Sequence, residues 1–146
     1  MKIIAPLAFL ALLAGCHARD SAPKVVRAWV RLPAVAGQPA AAYFTLEAGT
    51  RARRLVRMES ALVERIELHE SMAGRGGMTR MTPLAAIDVP AGGSVNFAPG
   101  ARHAMLIGTD PMVTPGTAVP LRFGFADGTT TEAEAKTVAA GEDAPF

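Results

Sequence analysis

Cysteine occurs once in these 146 residues, as Cys16, and tryptophan and tyrosine once each. Everything after residue 16 therefore contains no thiol and no possible disulfide. That excludes a blue-copper electron carrier, whose metal needs a Cys thiolate beside two His and a weak Met. Histidine is also scarce, with only His69 and His103 beyond position 17. A zinc hydrolase wants three His or carboxylate ligands around an open position; beside two histidines only Glu67 or Glu70 could complete a weak zinc site, and Met is a poor zinc ligand. No Ser-His-Asp arrangement is apparent, so nothing points to an enzyme. Net charge is small as well, 15 basic against 13 acidic residues, too balanced for a nucleic-acid partner. Internal repeats, low-complexity tracts and convincing amphipathic helical periodicity are all missing.

What is there begins with a leader. Lys2 precedes an apolar run over residues 3–14 that is too short to cross a bilayer as a permanent helix and ends in small residues. It reads as an export signal over residues 1–15. Its end, Leu13-Ala14-Gly15-Cys16, resembles the lipobox of bacterial lipoproteins, which implies that Cys16 becomes the lipidated first residue. Removal of residues 1–15 takes away Lys2 and no acid, leaving 14 basic and 13 acidic residues. The expected product is periplasmic, attached to the membrane through its lipid alone. Residues 16–23 read as a tether, 24–140 as one folded domain and 141–146 as a frayed tail.

Within the domain, short strand-like segments alternate with Gly/Pro turns. They fall at residues 25–32, 41–47, 54–58, 63–69, 87–89, 94–97 and 102–107. Residues 119–125 and 131–136 alternate most clearly, with Asp127-Gly128 where a two-residue primed turn would sit. Many short strands without helices mean an all-β sandwich or barrel. About 125 folded residues can bury a core without disulfides. Trp29, Phe44, Phe97, Phe123 and Phe125 are its expected bulk. Arg51, Arg53, Arg54 and Arg57 form a basic cluster that reads as a solvated face, or as an attractor for acidic partners or lipid head groups.

The chemistry-bearing residues are His69, Met81, His103 and Met105. Side chains at i and i+2 of a strand share a face, so His103 and Met105 project together while Ala104 and Leu106 face the other way. His69 has the parity of Glu67 and Arg65, opposite to Ile66 and Leu68, and should reach solvent. Imidazole with thioether suits copper, and thioether selects Cu(I). A lone Met is usually core filler and a lone His usually a surface group. However, both domain histidines and five of the seven methionines fall in one region. Residues 70–80, with Met72, Met78 and three glycines, read as an exposed binding loop. Met72 and Met78 are possible auxiliary ligands there.

The order His69, Met81, then twenty-one residues, then His103-Ala104-Met105 resembles the signature of the bacterial periplasmic copper chaperones of the copper-A type. The surroundings are similar too: Ala28-Trp29-Val30-Arg31, Ala42-Tyr43-Phe44, Glu67-Leu68-His69-Glu70, Met81-Thr82-Pro83-Leu84 and Phe125-Ala126-Asp127-Gly128. The resemblance implies a cupredoxin-like Greek-key β-sandwich. It implies one Cu(I) per monomeric chain, held by His69, Met81, His103 and Met105. It further implies delivery to a copper-accepting protein, a cytochrome c oxidase subunit or a thiol-bearing assembly factor. Some members carry Met directly after the first His, where this chain has Glu70, and some a Met- and His-rich tail, where this chain ends Gly141-Glu142-Asp143-Ala144-Pro145-Phe146. The competing expectation is a metal-free, lipid-anchored sandwich whose Met-bearing loop is a protein-contact surface.

Overall fold

The computed structural model describes residues 20–146. The leader, Cys16 and the start of the tether lie outside the described residues. Ten strands follow in order: β1 Lys24–Arg31, β2 Ala40–Glu47, β3 Arg53–Glu59, β4 Val63–Ala73, β5 Thr79–Leu84, β6 Ile87–Val89, β7 Ser94–Phe97, β8 Arg102–Thr109, β9 Ala118–Phe125 and β10 Thr130–Val138. One turn of 3-10 helix, Arg75–Gly77, sits between β4 and β5. No α-helix occurs among the described residues, and none there could cross a membrane.

Hydrogen bonding runs along one path, β5-β4-β8-β2-β1-β10-β9-β3-β6, with β7 added beside β2. Its two ends, β5 and β6, are joined by Ala85 and Ala86 alone, so the sheet folds back on itself as a sandwich. All pairs are antiparallel except β1 with β10. Alternation along each strand fills the interior. Val119, Leu121 and Phe123 are buried in β9, and Ala104 and Leu106 in β8. Phe44 stacks on Phe97 at 4.2 Å and meets Phe123 edge-on at 4.9 Å.

Two strands change face partway. In β1 the register steps between Val26 and Trp29, with Arg27 in the left-handed region at φ 54°. This bulge lets Val25 pack on the core before it and Ala28 and Val30 after it. It also turns Trp29 outward. Trp29 is buried, but with Tyr43 and Val138 in a separate cluster on the outer face; the expectation that it belongs to the main core fails for this reason. Val56 is the extra residue of β3, placing both Leu55 and Met58 inside.

Three more expectations need correction. The β9–β10 hairpin is not a two-residue primed turn. Gly128 N–H donates to the Phe125 carbonyl, Phe125 N–H to the Thr129 carbonyl, and only Gly128 has positive φ, 84°. That is a three-residue loop, 126–128, with glycine at the left-handed position. Residues 141–146 are tied down rather than frayed. Arg31 stacks on Trp29 and donates twice to the Glu142 carbonyl, at 3.0 and 2.7 Å, while Phe146 lies beneath the Arg27 and Lys136 cations. Arg53 is no solvated charge: its side chain is 3% exposed and pairs with both Asp20 and Asp127. Arg51, Arg54 and Arg57 stay exposed, beside Asp20, Asp88 and Glu59.

The Arg53 triad fastens the chain's entry into the domain. Asp20 also accepts from the Thr50 hydroxyl, while Ser21 and Thr50 exchange two hydrogen bonds of 3.0 and 2.9 Å. Asp127 accepts from the Thr129 hydroxyl, the Thr129 N–H and Arg53, which lower its pKa to about 2. A carboxylate depressed in this way stabilises the fold above its unfolded pKa and loses that contribution as pH falls through the folded one. Urea unfolding at stepped pH should therefore show stability falling between about pH 4 and pH 2, with Asp127→Asn giving a flatter curve over that window.

Candidate metal centre

Strand β4 lies between β5 and β8, and the register of the three fixes the site. His69 is directly opposite His103 on β8 and opposite Pro83 on β5. Met105 is opposite Glu67, and Met81 opposite Ser71. Directly opposed residues and their i±2 neighbours share a face. Met81, Glu67, His69, Ser71, His103 and Met105 therefore stand together on the outer face. His69 is the hub, one strand from His103 and one diagonal from each Met, and a diagonal of about 7–8 Å is within reach of long side chains. The two imidazole centroids are 5.8 Å apart, inclined at 66°. Beneath them Leu68, Ala104 and Leu106 are buried on the inner face.

Each imidazole is held through one nitrogen. His103 is 7% exposed, and its Nδ1 lies 3.2 Å from the Ala101 carbonyl, which also accepts the Ser71 N–H at 3.1 Å. His69 Nε2 lies 3.2 Å from Glu67 Oε2, while Arg65 donates to Glu67 Oε1 at 2.7 Å. Hydrogen bonds from Arg65 and then His69 hold the Glu67 carboxyl below the usual carboxylate range. His69 Nδ1 is buried with no partner. On the other face of the same strands, Arg102 Nε sits 3.0 Å from Glu70 Oε1, an ion pair without hydrogen-bond alignment.

An orphaned buried imidazole nitrogen and two thioethers on one strand face make up a donor set whose chemistry fits Cu(I). Among the described residues, no group of three or more His, Cys, Asp or Glu is placed to share a metal.

Residues 70–80 are not a loop. Strand β4 continues to Ala73 and pairs with β5 down to Thr79, so only a short tip separates the strands. Gly76 and Gly77 turn it with positive φ of 72° and 77°. Met72, opposite Arg80, faces away from His69, and Met78 sits at the tip, 72% exposed. The hairpin brings neither to the two histidines. The residue that sequence reasoning undervalued is Glu67. The signal was its Glu-x-His spacing, which on a strand puts carboxylate and imidazole on one face.

The sandwich with an imidazole–thioether face has the architecture of cupredoxin-like PCuAC domains. It resembles the copper-bound PCuAC domain from PmoF2, with TM-score 0.67 and 23% identity over 82% of this chain and 95% of that one. It also resembles apo-DR1885 from Deinococcus radiodurans, with TM-score 0.61 and 25% identity over 97% and 96% of the two chains. The chain belongs to the family described as "Putative lipoprotein LpqE-like", which it matches over residues 24–137. "Putative lipoprotein Lxx21020" of Leifsonia xyli subsp. xyli is 29% identical over 107 residues, 73% of this chain. The match spans 64% of that relative's length.

Accessibility ranks the sulfurs. Met81 is 48% exposed and Met105 partly covered, while Met58 is buried. Mild peroxide followed by peptide mass spectrometry should convert Met78 and Met81 to sulfoxide well before Met105, with Met58 last.

Proposed function

We propose that this protein is an extracytoplasmic copper carrier that binds one Cu(I) through His69, Met81, His103 and Met105. The observation that carries this reading is the register that sets His69 across from His103 with both thioethers on the same face. The fold adds support, because related structures include a copper-bound PCuAC domain and CuI-DR1885. Lipidation of Cys16 would hold the carrier at the membrane outside the cytoplasm, in keeping with the lipoprotein names of its family and relative.

Neutral imidazole and thioether ligands add no charge to Cu(I), so the bound ion keeps its positive charge and its attraction for thiolates. Met81, half-exposed on the edge strand β5, is the ligand an incoming group reaches first. Release then proceeds by stepwise exchange. Acceptor thiolates or imidazoles replace Met81 and then Met105 before the more enclosed histidines let go. Thiolate binds Cu(I) more strongly than thioether, so the acceptor's cysteines set the direction. The acceptor is a thiol-bearing assembly factor or the copper subunit of cytochrome c oxidase. The role is carriage, and no residue is assigned a catalytic step.

Competition of the purified protein against a chromophoric Cu(I) chelator tests this. One tight equivalent is expected, lost in the His103→Ala, Met105→Ala double variant. Met105→Ala alone should weaken Cu(I) at least tenfold and Cu(II) far less. Failure to compete with the chelator would end the carrier reading and leave the Met-bearing hairpin to be studied as a protein-contact surface.

A further inference from the structure

The two histidines are held by different nitrogens, and this has a chemical consequence. A neutral imidazole carries one N–H and one lone pair, and the hydrogen bond at one nitrogen decides which is which. At His103 the partner of Nδ1 is a backbone carbonyl, which can only accept, so Nδ1 carries the proton and Nε2 is left with the lone pair. At His69 the partner of Nε2 is a carboxylate oxygen of Glu67, so Nε2 carries the proton and the lone pair falls on Nδ1. Nδ1 is also the atom buried without any hydrogen-bond partner.

We infer that Glu67 is a positioning residue that fixes the tautomer of His69, so that His69 offers Nδ1 to the metal while His103 offers Nε2. The carboxylate is itself fixed. Arg65 takes its other oxygen at 2.7 Å, and both partners stand at two-residue spacing on the same strand face. The strand thus carries a linear chain, Arg65 to Glu67 to His69, ending at the orphaned nitrogen. A ligand imidazole oriented by a carboxylate binds metal better than one free to rotate, because ring geometry and tautomer are settled before the ion arrives. A metal-facing Nδ1 also brings the ion closer to the β4 backbone than Nε2 would, toward the strand between Met81 and Met105.

This assignment deepens the copper-carrier reading, yet its first test needs no metal. Long-range proton–nitrogen correlation on metal-free, nitrogen-15-labelled protein reads the two rings separately. The expected result is Nε2–H on His69 and Nδ1–H on His103. The same tautomer on both rings, or a His69 ring averaging between the two, would overturn the assignment. Glu67→Ala should let His69 average and lower Cu(I) affinity about tenfold. Glu67→Gln, whose amide oxygen still accepts Nε2–H, should keep the tautomer and most of the affinity. Arg65→Ala should fall between them. A His69 ring unchanged in Glu67→Ala would sink the positioning role whatever happened to affinity. A wild-type protein with the expected tautomers that bound no Cu(I) would defeat the carrier reading alone.

Discussion

Pairing of β4 with β8 is the constraint on which the site depends. Side chains alternate faces with a period of two, so a one-residue slip would send His69 inward and Leu68 outward. What prevents the slip is the inner face. Leu68, Ala104 and Leu106 are buried against the opposite layer, and each large apolar side chain fully buried is worth about 1.5–3 kcal/mol. The core thus fixes the register, and the register places the imidazoles. The donor set needs no dedicated loop. It is the reverse side of a well-packed strand pair, extended by one diagonal onto β5.

The rest of the sandwich is secured at its ends by polar devices. Arg53 is buried, and an isolated buried guanidinium would be costly; Asp20 and Asp127 offset that cost from two directions. Through Asp20 the triad seizes the chain just before β1, and through Asp127 it braces the β9–β10 hairpin. At the other edge of β1, Arg31 lies over Trp29 and clasps the Glu142 carbonyl. The aromatic cluster of Trp29 and Tyr43 is on the same outer side of the sheet as Met105, because Met105 stands opposite Ala41, which packs against that cluster. The face bearing the donors therefore continues into a covered aromatic surface rather than into open solvent.

Much of this was legible in the sequence, and the failures have physical causes. Segments 87–89 and 94–97 could be bounded because Pro and Gly flank them, and β9 because Val119, Leu121 and Phe123 alternate without interruption. The common face of His103 and Met105 followed from spacing alone. The far end of β4 was not legible. Glu70-Ser71-Met72-Ala73 shows no apolar alternation, since that stretch pairs with the edge strand β5 and covers no core. The bulge at Arg27 was invisible because a left-handed arginine has no sequence signature, and the placement of Trp29 failed with it. The burial of Arg53 was hidden because its partners lie 33 and 74 positions away. The Glu-x-His spacing shows Glu67 on the face of His69, but its pairing with Arg65 and the orphaned His69 Nδ1 depend on side-chain geometry that no spacing encodes.

X-ray absorption at the copper edge of the Cu(I)-loaded protein tests the central claim most directly. Two sulfur and two nitrogen scatterers around one Cu(I), with the sulfur contribution reduced in Met105→Ala, is the predicted result. A first shell of nitrogen and oxygen only, or a sulfur signal indifferent to Met81 and Met105, would contradict it.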